Sequence, residues 1–141
     1  MKHNSWSDCL NSNTAKIVSP DILRSKSLFE TAQERIAIIT DIHSKNCNFV
    51  FEDYYTSILE MIQAIAFLEG FNILNHLCTK FYLEEHLQEA YLAALFEDLR
   101  YKRNNLTYYG NKMDFETAQE TIANAKKIMQ NLIIIYQKMS I

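Results

Sequence analysis

The sequence predicts an all-α protein: an antiparallel bundle of four long helices, with a short extra helix between the second and the third. The chain has 141 residues but only two glycines and one proline. An all-β chain would need many more of these turn-forming residues. Apolar residues recur at steps of three and four over several long segments, which is typical of amphipathic helices.

The length suits one domain with a sizeable core. We divide the chain into an N-terminal arm, residues 1–18, and a bundle domain, residues 19–141. The arm lacks sustained periodicity, and we expect it to be partly ordered, with one short helical turn at Trp6, Cys9 and Leu10.

Start and stop signals delimit the first two long helices. The first is predicted to begin at Ser19-Pro20-Asp21, with serine as the N-cap, and to fade in the polar stretch 44–48. The second begins within 49–53 and ends at Gly70, where a helix commonly turns left-handed. The inward-facing residues are expected to be Phe29, Ala32, Ile36 and Ile39 in the first helix, and Tyr55, Ile58, Ile62, Ile65 and Leu68 in the second.

The second half of the chain is predicted to hold the short extra helix and two more long ones. One turn around Leu74 to Cys78 precedes a third long helix over about 83–106, and Asp114 caps the fourth. The stripe of the fourth helix is Ala118, Ile122, Ala125, Met129, Leu132 and Tyr136. Residues 133–135 are all isoleucine, so this helix either packs deeply within one chain or faces a second chain.

Charge and cysteine usage suggest a cytoplasmic protein. The net charge of −3 excludes duplex binding driven by net charge alone, although a local basic cluster at 100–103 leaves RNA binding open. The three cysteines are odd in number and widely spaced, so we expect reduced thiols and no disulfide or zinc site. Neither a signal peptide nor a membrane-spanning run is apparent.

Several common active sites are missing from the sequence. The four histidines are isolated, and His76 and Cys78, two positions apart, would make a poor pair of metal ligands on a helix. No glycine-rich phosphate loop and no Gly-x-Ser-x-Gly motif occurs. We therefore expect no metal and no cofactor.

The candidate site lies in the segment Leu92–Gly110. Its apolar residues recur at helical spacing, and Arg103 follows Leu99 by four, so a cation lies on the apolar line. A buried helix face seldom carries an unpartnered guanidinium. Arg103 therefore either snorkels or pairs with a carboxylate, or it faces a cleft where its planar fork can bind phosphate. Tyr108 and Tyr109 would stack on bases there, or would only cover the end of the bundle.

The chain resembles the HEPN family of small helical-bundle proteins, in particular its small prokaryotic and archaeal single-domain members. The resemblance covers nearly the whole chain. It rests on four stretches: WSDCL, SKSLFETAQERI, ILEMIQAIAFLEGFNILNH, and LRYKRNNLTYYG ahead of an acidic-capped last helix.

Many HEPN proteins carry an arginine followed, four to six residues on, by a histidine. The resemblance implies a dimeric, metal-independent endoribonuclease in which arginine stabilises the developing charge and histidine moves protons. Here Arg103 and Asn104 match the motif, but Tyr108 stands in the place of the histidine, and none lies between Arg100 and the C-terminus. Because the pKa of tyrosine is about 10, it is a poor general base at pH 7.

The resemblance therefore favours a non-catalytic, HEPN-like homodimer that binds RNA, a nucleotide, or a partner such as the nucleotidyltransferase that accompanies HEPN proteins in toxin–antitoxin pairs. Its ligand would contact Arg100, Arg103, Asn104, Tyr108 and Tyr109. Two alternatives stay open. One is a metal-independent endoribonuclease with the degenerate Arg-x4-Tyr motif, and the other is a purely structural or assembly bundle.

Overall fold

A computed structural model describes residues 3–140, and the prediction of an all-α protein is confirmed there. None of the described helices is both long and apolar enough to cross a lipid bilayer. The elements in chain order are α1 (Trp6–Asn11), β1 (Ala15–Ile17), α2 (Ile22–Ala37), α3 (Cys47–Glu69), β2 (Phe71–Ile73), α4 (His76–Phe81), a π-helical segment (Tyr82–His86), α5 (Ala90–Tyr109) and α6 (Phe115–Met139).

The core is built around α3, which carries buried residues on nearly every side. A helix that is apolar all round must be covered all round, and α3 packs against α2, α6, α5, α4 and β2. It begins at Cys47, slightly before the predicted start, and ends as predicted at Gly70. The φ angle of Gly70 is 89°, and a Cβ there would lie 2.7 Å from the carbonyl oxygen of Val18. Glycine is therefore required by both conformation and space.

The helix α2 is shorter than predicted at both ends. Its N-cap is Asp21 and not the predicted Ser19. The Asp21 carboxylate accepts a hydrogen bond from the Arg24 N–H at 3.1 Å. The cap lies there because the Asp21 N–H donates to the carbonyl of Phe67, which holds the chain against the end of α3. The helix ends at Ala37, well before 44. The buried Ser25 hydroxyl donates to the Ala64 carbonyl at 2.5 Å, so α2 and α3 approach closely.

A two-stranded antiparallel sheet, which the sequence does not predict, joins the N-terminal segment to the end of α3. Ala15 pairs with Ile73, and Ile17 pairs with Phe71. Each strand has three residues, too few for an alternating pattern to be recognised. On its other side β2 is held by Gln63, whose side-chain amide bonds both the N–H and the carbonyl of Ile73 at 3.2 Å.

The N-terminal segment packs onto the core. Its predicted helical turn is confirmed as α1, where Trp6 is 7% exposed and Cys9 is fully buried. The Trp6 ring lies 5.5 Å from Phe71 and 5.2 Å from Tyr82, between ring centroids. Residues 6–17 therefore form part of the folded unit instead of a partly ordered arm.

Cys9 and Cys78 form a disulfide, so the prediction that all three cysteines are reduced is wrong for this pair. Their Cα atoms lie 5.9 Å apart although 69 positions separate them along the chain. Pairing over such a separation produces no recognisable spacing motif. Cys47 is a buried free thiol. Because disulfides are typical of oxidising compartments, cysteine usage no longer argues for a reducing cytosol.

The predicted third helix is interrupted. The short extra helix is confirmed as α4, and it runs on into the π-helical segment before the chain turns at Gln88, whose φ is 56°. Glu69 fastens this segment to the end of α3, because its carboxylate accepts from the Tyr82 hydroxyl and lies 3.3 Å from Nε2 of His86. The helix α5 then extends past the predicted end at 106, as far as Tyr109.

The helix α6 follows its prediction closely. Asp114 is the N-cap and accepts a hydrogen bond from the Thr117 N–H at 2.8 Å. The predicted stripe is buried apart from the half-buried Tyr136, which stacks face to face on Phe29 of α2 at 3.9 Å. Of the three consecutive isoleucines, two pack partly against the core and Ile134 is 50% exposed.

Reduction of the Cys9–Cys78 disulfide should lower the free energy of unfolding by about 4 kcal/mol, because the bond closes a long loop in the unfolded chain. Urea unfolding with and without a phosphine reductant measures the difference. The Cys9→Ala/Cys78→Ala double variant is the control, since its stability should not respond to reductant. Equal stability of the unaltered protein under both conditions would contradict this role of the disulfide.

Candidate functional site

The C-terminal half of α5 and the first turn of α4 form the walls of an open cleft. On α5 the polar residues recur at steps of three and four and therefore share one side of the helix. On the other wall, Asn75 caps α4 by accepting the Cys78 N–H at 2.7 Å. The cleft has a volume of about 440 Å³ and is lined by Leu74, Asn75, His76, Leu77, Arg100, Arg103, Asn104 and Tyr108.

Four of the five residues that the sequence singled out line this cleft. Arg100, Arg103, Asn104 and Tyr108 belong to its α5 wall, whereas Tyr109 does not line it and is 74% exposed. The two tyrosines separate because α5 stays helical through both, and neighbouring helical residues point about 100° apart.

Arg103 has no ion pair within residues 3–140. Its guanidinium carbon lies 5.8 Å from the ring centroid of Tyr55 and 5.8 Å from that of Tyr108. Both distances are within the range of cation–π attraction. The two aromatic rings hold the side chain at the cleft and leave its donors without a carboxylate partner. The alternative in which Arg103 pairs with a carboxylate is not what the structure shows.

Arg100 is held differently. Its Nε and one terminal nitrogen donate to the two carboxylate oxygens of Glu97 at 2.9 and 2.7 Å. Hydrogen bonding to that carboxylate raises the pKa of Arg100 above its usual value. Because the charge of Arg100 is compensated locally, Arg103 supplies the uncompensated positive charge of the cleft.

His76, which sequence reasoning did not connect with this site, lies in the same cleft. Its Nδ1 is 3.1 Å from the hydroxyl oxygen of Tyr55 on α3. Burial lowers the pKa of His76 below 6.5, and the positive charges of Arg103 and Arg100 lower it further. The imidazole is therefore neutral at pH 7.

Tyr55 supports this arrangement from the core. It is 2% exposed, and its ring stacks on Phe96 of α5 with centroids 5.7 Å apart. Burial raises its pKa well above the usual 10, so the phenol stays protonated. The sequence placed Tyr55 on an apolar stripe but carried no signal that its hydroxyl meets a histidine from another helix.

Within the described range 3–140, no group of three or more histidine, cysteine, aspartate or glutamate side chains is placed to hold a metal ion. The polar groups of the cleft are instead guanidinium, imidazole, amide and phenol. All of these can donate hydrogen bonds, and no carboxylate is among the lining residues. The arrangement is suited to an anion.

Comparison with family models, with curated proteins and with solved structures finds no match to this chain.

Replacing Arg103 with glutamine should raise the pKa of His76, because the positive charge of Arg103 disfavours the imidazolium. Titration of the histidine ring protons by NMR measures the change. Arg35→Gln is the matched control, since Arg35 pairs with Glu60 between α2 and α3, outside the cleft. A His76 pKa that is equal in both variants would show that Arg103 does not act on the imidazole.

Proposed function

We propose that the protein is a non-catalytic, HEPN-like binding module that holds the phosphate backbone of single-stranded RNA in the cleft between α4 and α5. The observation that carries the proposal is Arg103, an arginine that lines an open cleft without an ion pair in the described part of the chain. A planar guanidinium in this setting binds phosphate oxygens through two parallel hydrogen bonds.

The rest of the cleft supports an anionic ligand. Asn75 and Asn104 line it with side-chain amides, and His76 adds an imidazole. Protein–nucleic acid complexes place most of their hydrogen bonds on phosphate and sugar, and they use these same side chains for many of them. The acidic chain as a whole does not attract nucleic acid, so the local cluster must supply the affinity.

Exposed tyrosines favour a strand of RNA over a single nucleotide. Tyr101 is 65% exposed and Tyr108 is 68% exposed. Because they are seven positions apart, they lie on nearly the same side of α5. At a rise of about 1.5 Å per residue they are roughly 10 Å apart along the axis, too far for one base to stack on both. Bases of a single strand stack on such rings with little sequence preference.

The proposal includes the HEPN-like four-helix architecture, a homodimer and a cytoplasmic location. The resemblance supports all three, and we place the contact with a second chain on α6, where Ile134 is half-exposed next to the partly buried Ile133 and Ile135. A nucleotidyltransferase partner of the toxin–antitoxin type would bind the same dimer. The Cys9–Cys78 disulfide does not itself support the cytoplasmic location, because disulfides are typical of oxidising compartments.

A second candidate function is metal-independent cleavage of RNA. His76 favours it, because α4 brings to the cleft the imidazole that the Arg-x4-Tyr motif lacks. Beside one phosphate, an arginine would stabilise the developing charge and a histidine able to accept a proton would activate the ribose 2′-OH. Cleavage and binding are distinguished by whether the RNA is cut or stays intact when the protein is added.

Arg103→Ala should weaken binding of a fluorescein-labelled octauridylate by about 10- to 100-fold, since a hydrogen bond to a charged group contributes about 1.5–3 kcal/mol. Fluorescence anisotropy at fixed salt measures the affinity. Lys127→Ala on α6 is the control, because it removes the same charge from an exposed position outside the cleft.

Equal weakening by both substitutions would show that binding is non-specific. Failure of the unaltered protein to bind at all would favour the purely structural bundle. Cleavage of the RNA in EDTA by the unaltered protein, lost in Arg103→Ala, would replace the binding proposal with the endoribonuclease.

Light scattering at tens of micromolar should give twice the 16.5 kDa mass of one chain, because an obligate dimer persists at such concentrations. Ile134→Lys should lower that mass towards the single chain if α6 forms the interface, whereas Lys45→Ala, at an exposed position between α2 and α3, should leave it unchanged. A single-chain mass for the unaltered protein would refute the dimer and would leave the proposal for the cleft unchanged.

A further inference from the structure

We infer that His76 contacts the ligand as a hydrogen-bond donor through Nε2, that Tyr55 fixes this tautomer by donating to Nδ1, and that anion binding is coupled to uptake of a proton. The inference rests on the proposed function, since it specifies how the same cleft recognises an anionic oxygen. Here His76 is a binding residue, and Tyr55, which acts through it, is a positioning residue.

The direction of the Tyr55–His76 hydrogen bond follows from the surroundings of Tyr55. The hydroxyl is buried, and Nδ1 of His76 at 3.1 Å is its one side-chain partner within residues 3–140. If the phenol accepted from Nδ1–H, its own proton would have no acceptor, which costs about 1–3 kcal/mol for a buried group. Donation by the phenol satisfies both atoms, so Nδ1 is the acceptor and the ring proton lies on Nε2.

Nε2 is therefore the nitrogen that His76 offers to a ligand. It has no hydrogen-bond partner in the described part of the chain, and His76 lines the cleft. A neutral imidazole with its proton on Nε2 donates to a phosphate oxygen but cannot accept a proton there. In this state His76 assists binding and is not a general base, which agrees with a non-catalytic module.

The charges around the ring explain the coupling to protons. Arg103 and Arg100 face it from α5, and both oppose protonation, while α3 presents the uncharged Tyr55. The carboxylates of the other neighbouring elements bond elsewhere: Asp8 to the Asn4 N–H, Glu69 to Tyr82, Glu84 to Lys80 and Glu85 to the Trp6 N–H. Of the two arginines, Arg100 is compensated by Glu97, also on α5, and none of these carboxylates offsets Arg103.

An anion in the cleft reverses this balance. It partly neutralises Arg103 and accepts from Nε2–H, so it raises the pKa of His76 above that in the free protein. Protonation of Nδ1 makes the Tyr55 hydroxyl an acceptor and leaves the phenol proton unpaired, but this cost lowers the pKa in the free and bound states alike. The bound state then holds a proton that the free state lacks. By linkage, affinity must rise as the pH falls through the interval between the free and bound pKa values.

Two substitutions of His76 distinguish its role as a hydrogen-bond donor from its uptake of a proton. His76→Gln places an amide N–H where Nε2–H stands and cannot titrate, whereas His76→Asn places its amide nearer the Nδ1 position and leaves the ligand without the donor. Tyr55→Phe keeps the stacking on Phe96 and removes only the hydroxyl. Uridine does not ionise between pH 5.5 and 7.5, so octauridylate reports the titration of the protein.

We expect the unaltered protein to bind octauridylate more tightly at pH 5.5 than at pH 7.5, by at most about tenfold for each unit by which the anion raises the pKa of His76. At pH 7.5 His76→Gln should bind more tightly than His76→Asn, because it keeps the donor, and it should lose most of the pH dependence of the unaltered protein. Nitrogen-15 spectra of the free protein at pH 7.5 should show His76 protonated on Nε2, and a mixture of tautomers in Tyr55→Phe.

Protonation on Nδ1 in the free protein would overturn the inference and leave the proposed function standing. So would binding whose pH dependence is the same in His76→Gln. If octauridylate does not bind at all, the proposed function fails, and sulfate, which stays doubly charged over this pH range, decides the inference. A shift of the His76 Nε2 signal on adding sulfate, absent in Arg103→Ala, would support it, and no shift would overturn it.

Discussion

Burial of α3 on nearly all its sides is the constraint on which the rest of the structure depends. A helix that is apolar all round needs a cover on every face, and the chain supplies it with α2 and α6 along the helix and with α4, α5 and the short sheet around its remaining sides. The short elements add buried residues such as Trp6, Phe81 and Tyr82 to this core. A disulfide, the Gln63 side chain and the Glu69 carboxylate fasten them further. The cleft arises where two such covers, α4 and α5, meet over α3.

Tyr55 shows how the core and the cleft are connected. Its ring belongs to the core, stacked on Phe96, while its hydroxyl reaches the one polar partner available to it at the edge of the core. A buried hydroxyl without a partner is costly, and α4 satisfies it by placing His76 above it. The same ring lies under the guanidinium of Arg103. One buried side chain therefore positions both the imidazole and the cation of the cleft.

The elements that could be predicted are those whose signals are local and repeated. Long apolar stripes identified α3 and α6, and Gly70 and Asp114 marked helix ends by backbone conformation and capping. An arginine on an apolar line identified the α5 wall of the cleft. The parts that were missed depend on contacts between distant segments: the pairing of β1 with β2, the Cys9–Cys78 bond and the meeting of His76 with Tyr55 and Arg103. Isolated residues such as His76 acquire a role only from the fold, so no motif could reveal it.

The direction of one hydrogen bond also bears on whether the cleft binds or cleaves. A histidine that activates a ribose hydroxyl must present a free lone pair to it, and in the tautomer that we infer the lone pair of His76 accepts from the Tyr55 hydroxyl. The deep burial of that phenol makes the alternative arrangement unfavourable, because its proton would then lack an acceptor. Lowering the pH does not supply a base, since protonation fills the remaining site on the ring. The neutral and charged forms of His76 therefore both act as donors towards an anion. In the proposed binding module these forms act together with Arg103, which has no ion pair in the described chain, and they would donate to a phosphate while its neighbouring hydroxyl stays unactivated.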